Sequence, residues 1–417
     1  MKKYLTLTIS VLVLGILAGA GAGLLSLFLG AVERLFLHFE ETMLHPSAAG
    51  TLPVQRLLSV LIGGCIAAVV WYFLRKKNRI PKITEVMAGK KMPFGATVLH
   101  VCTQIFFVGT GGSIGRELAP RELGALLAQK WETVLVKLGL SSLSAEEKSL
   151  MVAAAAGAGF SGAYIAPLTG MFFCIEILHR KISLQAVSLS LSMSIIAMLV
   201  GAWMKGNSAY YYVGRGKFSL LFLVFVLVMA PICGLVGAYF RKSFLWAEKN
   251  QTQTKQILWQ LPAAALVTGL ISLTFPQIMG NGRALAQMAL DASASAGSKM
   301  IFIFLLLALL KGVMTVLTIR AGASGGTLAP SIAIGASLGA VAALLIPGML
   351  VWQGALLGAV ALLASAQQAP LMALFMMIEI SHLPLNAVVP LGLGVALSTA
   401  ISQLVLKRQT VKGLEDE

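Results

Sequence analysis

The sequence predicts an all-α polytopic membrane protein built from two inverted-topology repeats of broken and tilted helices. Composition is the first observation, because the 417 residues are 58% hydrophobic and only 12% charged. Such a chain is not a soluble globular protein, and a helix satisfies its own backbone hydrogen bonds inside a bilayer. Secondly, Gly or Pro interrupts many apolar segments before they reach the ~20 residues of a spanning helix. Thirdly, the two halves carry similar motifs in the same order, which is typical of transporters.

The net charge of +16 fits a membrane topology better than nucleic-acid binding. The basic residues gather in short segments between apolar ones, as the positive-inside rule expects of cytoplasmic loops. One cluster comprises Arg75, Lys76, Lys77, Arg79 and Lys82. We expect it to face the cytoplasm, with attraction of anions to a vestibule as the alternative role. The predicted surroundings are lipid, and we expect no nucleic-acid partner.

The apolar segments predict the helices in order. Residues 4–37 form one long tilted helix or two helices joined at Gly19-Ala20-Gly21, and residues 56–74 form a second hydrophobic segment. Proline after a polar tripeptide favours a helix start at Pro81, with Asn78 as the N-cap. Pro167 divides the long apolar stretch in which it lies into two short helices.

An internal repeat relates the two halves of the chain. Residues 166–177 and 369–380 are identical at seven of twelve positions. A Gly-Gly-Ser triplet ahead of Ala119-Pro120 matches a Gly-Gly-Thr triplet ahead of Ala329-Pro330, and residues 80–83 align more weakly with 279–282. The predicted units are a first membrane repeat over 1–207, a second over 208–406, and a short polar tail over 407–417 without a regulatory cytoplasmic domain. Such a duplication favours a pseudo-two-fold axis with a site between the halves.

The stretch from Gly109 to Pro120 predicts an anion cradle. Glycines let backbone N–H groups approach an ion, and the free N–H groups at a helix start carry positive partial charge. The candidate donors are the amides of Gly115, Arg116 and Glu117, together with those of two residues in the second glycine stretch, Thr327 and Leu328. An ionised Glu117 would occupy the anion site, and a protonated one would leave it. The alternative is a structural carboxylate that pairs with Arg116.

Other carboxylates allow further interpretations. Glu122 is either a second proton stop or a partner of Arg121 at the surface, and the sequence favours the surface pair. Glu-x-x-His occurs twice, at residues 176–179 and 379–382, which is a spacing used by di-iron sites and raises the distant alternative of a membrane-embedded metalloenzyme. Equivalent helices of an inverted repeat point to opposite sides of the membrane, so we expect no metal, no cofactor and no enzymatic activity.

These motifs together resemble the CLC family of chloride channels and anion/proton antiporters over nearly the whole chain. The family's Gly-Arg-Glu-Gly-Pro signature is approached by residues 115–120, its Gly-x-Phe-x-Pro signature by 326–330, and its Gly-Ser-Gly-Ile-Pro signature by 77–81. Its Ala-Pro-Leu segments match residues 165–168 and 368–371. The resemblance implies an all-helical homodimer with one separate pore in each subunit, placed in a cell membrane.

Three departures from the family pattern indicate a particular branch. Asn78 stands where the family has a chloride-site serine, and no tyrosine occurs after Tyr239. The cytoplasmic proton glutamate of chloride antiporters aligns with Ile177, one place after Glu176, whereas Glu117 is retained. This pattern resembles the bacterial branch that exchanges fluoride for protons, and it implies a multi-pass protein of a bacterial inner membrane.

The predicted function is therefore secondary active antiport that exports fluoride in exchange for protons, with Glu117 as gate and proton carrier. A chloride/proton antiporter or a gated chloride channel of the same family is the alternative. The side-chain amide of Asn78 always has an N–H donor, and we hypothesise that this donor favours fluoride. The predicted anion-binding residues are Asn78, Gly115, Arg116, Glu117, Gly326, Thr327 and Leu328.

Overall fold

The computed structural model describes residues 2–140, 143–293 and 297–415, and sixteen α-helices account for most of these residues. The helices are α1 (Lys2–Leu37), α2 (Pro53–Lys77), α3 (Ile83–Met87), α4 (Phe94–Gly109), α5 (Leu118–Lys137), α6 (Ala145–Tyr164), α7 (Pro167–Phe172), α8 (Leu184–Lys205), α9 (Leu220–Lys249), α10 (Ile257–Ser272), α11 (Arg283–Leu290), α12 (Gly297–Arg320), α13 (Leu328–Leu344), α14 (Val351–Gln367), α15 (Pro370–Ile380) and α16 (Val388–Glu415). The all-α prediction is confirmed.

Helices of two lengths build the membrane region. Within the described ranges, six helices are long and apolar enough to cross a membrane, namely α1, α2, α8, α9, α12 and α16. Others are apolar but contain only 10–17 residues, as the broken-helix prediction expects. The first segment is one continuous helix, because Gly19 does not break α1 but lies where a Cβ atom would come within 2.6 Å of the Ala197 carbonyl oxygen of α8.

Small residues pack the centre of the fold. Helices α6, α13 and α14 are rich in Ala and Gly and are buried along most of their length. At the contact of α13 with α14, a Cβ atom on Gly335 would lie 2.2 Å from the carbonyl oxygen of Gly358. Backbones that approach this closely gain van der Waals contact that lipid cannot replace.

The two halves break their helices in the same backbone conformation. Helix α6 ends at Ile165, a left-handed residue with φ 56° and ψ 46°, and Ala166 then turns the chain into the start of α7. Helix α14 ends in the same way at Gln368, with φ 56° and ψ 38°, followed by Ala369. Proline begins the next helix in both halves, so the interruption predicted at Pro167 is confirmed, and the second half repeats it at Pro370.

Reciprocal caps show that α7 and α15 run in opposite directions. Near the end of α15, the Glu379 carboxylate accepts hydrogen bonds at 2.8 Å from the backbone N–H groups of Leu168 and Thr169, at the start of α7. Near the end of the π-helical turn that continues α7, Glu176 accepts from Leu371 at 3.1 Å and from Met372 at 2.8 Å, at the start of α15. The end of each of these two helical segments lies beside the beginning of the other, as an inverted repeat requires.

These caps also account for the repeated Glu-x-x-His motif. Both carboxylates bind backbone N–H groups of the opposite helix, where they satisfy donors that have no partner within their own helix. Among the described residues, no three His, Cys, Asp or Glu side chains lie close enough together to hold a metal ion. Helix capping therefore accounts for the glutamate of each motif.

The predicted helix start at Pro81, with Asn78 as its N-cap, is wrong. Asn78 ends α2 rather than beginning a helix, and its N–H donates to the Leu74 carbonyl at 2.7 Å. The helix dipole favours basic residues in the last turn of α2, which therefore continues to Lys77. Pro81 disfavours helical geometry at the residue before it, and the next helix starts only at Ile83. The expected tail over 407–417 is helical through Glu415, while residues 416–417 lie outside the described ranges.

We predict that Glu379→Ala lowers the free energy of unfolding in detergent by about 1–2 kcal/mol, the typical effect of a lost helix cap. The substitution removes the acceptor for two N–H groups and for the Thr169 hydroxyl, which donates at 2.6 Å. Glu379→Gln keeps one acceptor oxygen, so its thermal stability should lie between that of the unchanged protein and that of the alanine variant. Equal melting temperatures for the alanine variant and the unchanged protein would contradict a stabilising role for this cap.

Candidate functional site

The two glycine stretches meet in a short antiparallel bridge. Gly115 donates a backbone hydrogen bond to the Gly326 carbonyl at 2.8 Å, and Gly326 donates to the Gly115 carbonyl at 2.8 Å. Helix α5 follows the first glycine, and α13 follows the second. The bridge thus places two helix N-termini, one from each half, at the same point of the fold, where their dipoles favour negative charge.

The carboxylate of Glu117 lies across this bridge and is fully buried. Its Oε1 accepts a hydrogen bond from the N–H of Leu328, the first residue of α13, at 2.5 Å. Its Oε2 has no hydrogen-bond partner in the described chain. A Cβ atom on either Gly115 or Gly326 would lie 2.2 Å from one of the two carboxylate oxygens. Both positions therefore need glycine to admit the carboxylate.

The structure changes the predicted set of donors. Gly115 and Gly326 use their N–H groups in the bridge, so they contribute space rather than donors. No backbone bond of the described chain engages the N–H groups of Arg116, Glu117 and Thr327. Together with the N–H group of Leu328, which now holds the carboxylate, these three amides are the candidate backbone donors for an anion.

Arg116 does not pair with the carboxylate of Glu117. Its guanidinium lies 3.3 Å from Oε1 of Glu41 and packs over the rings of Tyr164 and Tyr210, 5.7 and 5.4 Å from their centroids. The alternative of a structural Arg116–Glu117 pair is therefore wrong. Within the described residues Glu117 has no ion-pair partner inside 4 Å, so its carboxylate is held by a neutral donor alone.

Glu41 anchors a charged cluster that the sequence did not reveal. Besides Arg116, its Oε1 lies 3.3 Å from the guanidinium of Arg283 and 3.2 Å from the Tyr210 hydroxyl. Next to it a small cavity of about 30 Å³ reaches the glycine stretch at Gly111 and is lined by a second carboxylate, Glu33. These residues come from distant segments, and no local pattern in the sequence links them.

A buried lysine fixes the segments around the cradle. Lys311 in α12 has no exposed surface, and its Nζ donates to the Ser113 hydroxyl at 3.0 Å and to the carbonyls of Ile278 and Gly280 at 3.2 and 2.7 Å. Sequence reasoning missed this residue, although a lone cation in the middle of an apolar helix is a functional signal by default.

The end of α2 that carries Asn78 is joined to the second glycine stretch. Arg75, one turn earlier, donates to the Gly322 carbonyl at 2.6 Å and to the Ser324 hydroxyl at 3.2 Å, in the segment that leads to Gly326. This ties the end of α2 to the second glycine stretch. In the described chain no hydrogen bond joins the half-buried Asn78 side chain to Glu117.

Glu122 is buried, so the expected surface pair with Arg121 is wrong. Its Oε2 accepts a hydrogen bond from Gln104 Nε2 at 2.5 Å and lies 3.5 Å from His100 Nε2. Arg121 turns the other way, with its guanidinium 4.8 Å from the centroid of the Phe173 ring. The helical step between neighbouring residues of α5 separates the two side chains.

Comparisons with known proteins agree with the fold and the motifs. The sequence model described as voltage-gated chloride channel matches residues 62–403. The voltage-gated ClC-type chloride channel ClcB of Citrobacter koseri is 29% identical over 392 residues, which cover 88% of this chain and 89% of that protein. ClcB of Salmonella typhi is 27% identical over 392 residues with the same coverage.

Solved structures share the architecture at low sequence identity. A CLC-type fluoride/proton antiporter gives a TM-score of 0.67 at 22% identity, covering 96% of this chain and 95% of that one. A slow cyanobacterial Cl⁻/H⁺ antiporter gives 0.74 at 19% identity, covering 97% and 98%. These likenesses establish the fold, and the match over residues 62–403 shows that this multi-pass membrane protein belongs to the voltage-gated chloride channel family, whose CLC-type members are anion/proton antiporters or channels.

Proposed function

We propose that this protein is a secondary active anion/proton antiporter in which Glu117 is both the gate and a proton carrier. The observation that carries the proposal is the buried carboxylate on the N–H of Leu328. A carboxylate that sits on helix-terminal donors occupies the place where a free anion would bind. Its second oxygen, Oε2, has no hydrogen-bond partner within the described residues and can accept a proton.

Mutual exclusion of carboxylate and anion couples the two ions. Protonation removes the negative charge of Glu117, weakens its bond to Leu328, and frees the cradle for an anion. When the anion leaves, the carboxyl group loses its proton and the carboxylate returns. Because Arg116 is held by Glu41 and Lys311 by neutral oxygens, neither cation traps the carboxylate in an ion pair. The exchange therefore works between two states of one side chain.

The charges around the fold support an outward-facing gate. Helices α1 and α2 are successive spans, so the loop between them lies on the opposite side from the basic end of α2. The positive-inside rule places that basic end in the cytoplasm. Glu41, in the loop, contacts Arg116 next to the gate. We infer a bacterial inner-membrane location and, from the family resemblance, a homodimer with one pore in each subunit.

Fluoride is the proposed anion, and chloride is the competing one. A fluoride/proton antiporter is among the structures that share the fold, and Asn78 and Ile177 depart from the pattern of chloride antiporters. Chloride/proton antiport, or a gated chloride channel, is favoured by the curated relatives, which are named chloride channels. In both cases the anion is small and must exchange its hydration for N–H donors.

The proposal is tested by ion flux from liposomes that hold the purified protein, with fluoride, chloride and pH electrodes in one cell. An outward anion gradient should drive protons into the vesicles, and fluoride should do so better than chloride. Glu117→Gln cannot take up a proton and should abolish proton movement. The control is Glu132→Gln, which changes a half-exposed carboxylate of the same helix, paired with Lys148 at 2.7 Å, and should keep the coupling.

Persistent anion-driven proton movement in Glu117→Gln would contradict the gate assignment. Anion flux in the unchanged protein without any proton movement would identify a channel instead of an antiporter. Proton coupling to chloride that equals or exceeds the coupling to fluoride would favour the competing chloride proposal.

We predict that Asn78→Ser lowers the ratio of fluoride to chloride flux by about tenfold, or about 1.4 kcal/mol, because the amide always presents an N–H donor whereas the hydroxyl can turn its one hydrogen to another acceptor. The matched control is Asn250→Ser, since Asn250 also ends a helix beside a lysine, at the end of α9. That control should leave the ratio unchanged. An unchanged flux ratio in Asn78→Ser would assign Asn78 to the structure of the loop only.

A further inference from the structure

A buried polar cluster lies beside the gate, and the proposed function does not yet use it. Glu122 of α5 accepts a hydrogen bond from Gln104 of α4 at 2.5 Å and lies 3.5 Å from Nε2 of His100, also in α4. Trp71 of α2 donates its indole N–H to Nδ1 of His100 at 3.1 Å. Each of these four side chains is less than 9% exposed. Three helices thus enclose a carboxylate and an imidazole together.

The tryptophan fixes the protonation pattern of the histidine. The indole N–H of Trp71 can only donate, so Nδ1 of His100 must be the acceptor. A neutral imidazole has one N–H group, which is then on Nε2 and faces Oε2 of Glu122. His100 is therefore set to stabilise a carboxylate at this position.

The surroundings of Glu122 favour a carboxyl group that can gain and lose a proton. The charged side chains that act on the pair are Arg121 on Glu122 and Arg75 on His100, and neither forms an ion pair with the carboxylate within 4 Å. A buried carboxylate without a permanent counter-charge is costly. In the described chain Oε1 of Gln104 is buried without a hydrogen-bond partner, so the cluster lacks one donor. A protonated Glu122 has an O–H donor that the ionised form lacks.

The cluster lies on the inner side of the gate. Five residues of helix, at about 1.5 Å each, place Glu122 some 7.5 Å further along α5 than Glu117. Further along, Gln129 binds the N–H of Met92 at 2.7 Å and the carbonyl of Lys90 at 2.8 Å, close in sequence to the basic cluster. The proposed cytoplasmic end of α5 is therefore beyond Glu122.

We propose that Glu122 and His100 form the inner proton site of the exchange, an inference that rests on the proposed antiport function. The Glu122 carboxyl group loses its proton, which adds to the Glu117 carboxylate. The Nε2–H of His100 then stabilises the Glu122 carboxylate until a proton from the inner solution restores the carboxyl group. Ile177, which the family resemblance aligns with the cytoplasmic proton glutamate, is apolar, and its neighbour Glu176 accepts hydrogen bonds from the start of α15.

Glu122→Gln tests this role in the same liposome assay. Glutamine keeps the size and an acceptor oxygen for Gln104 but cannot carry a proton, so anion-driven proton flux should fall at least about tenfold. Anion flux should stay within about twofold, because the Glu117 cradle is intact. Glu132→Gln, the half-exposed control on the same helix, should keep the ratio of protons to anions.

Two results would overturn the proposal: an unchanged proton-to-anion ratio in Glu122→Gln, or an equal loss of both fluxes, which a structural role predicts. If that variant does not fold, His100→Gln decides by the same ratio, which should fall because the carboxylate loses its imidazole partner. Failure here is distinct from failure of the antiport function. If Glu117→Gln abolishes proton flux while Glu122→Gln keeps normal coupling, only the proposal of the inner proton site is refuted. If the unchanged protein shows no proton flux, the antiport function and the inner site are both refuted.

Discussion

Two backbone hydrogen bonds between Gly115 and Gly326 are the constraint on which the rest of the site depends. They join the halves of the chain at the starts of α5 and α13, so that the N–H of Leu328 meets a side chain from the other half. They also leave space, because neither residue has a Cβ atom to fill it. The bridge thus positions the donor and makes room for the carboxylate that binds it.

Electrostatics around this bridge is strong but indirect. The nearby cations are both engaged, Arg116 by Glu41 and Lys311 by one hydroxyl and two carbonyl oxygens. Neither cation bonds directly to Glu117, whose carboxylate accepts a hydrogen bond from the neutral amide of Leu328. Breaking a buried ion pair costs several kcal/mol, whereas leaving a single neutral donor costs far less. In the proposed exchange, this difference is what allows the carboxylate to give way to an anion.

Local patterns made much of the fold predictable, and long-range contacts explain what the sequence missed. The break before Pro167 and the cradle at Glu117 follow from glycine and proline chemistry within a few residues. Lys311 was overlooked although its signal was local, since a cation inside an apolar helix is visible in the sequence. The burial of Glu122 could not be predicted, because it depends on His100 and its helix packing against α5.

The reciprocal caps have a consequence for how the chain is made. The first half leaves the ribosome before Glu379 exists, so the N–H groups of Leu168 and Thr169 then lack the carboxylate that satisfies them. Unpaired N–H groups are costly in hydrocarbon. The start of α7 therefore gains its carboxylate acceptor only once α15 has been made, and Glu176 gains its donors only with the start of that helix. Each half thus completes the hydrogen bonding of the other, and the caps between α7 and α15 form late in synthesis.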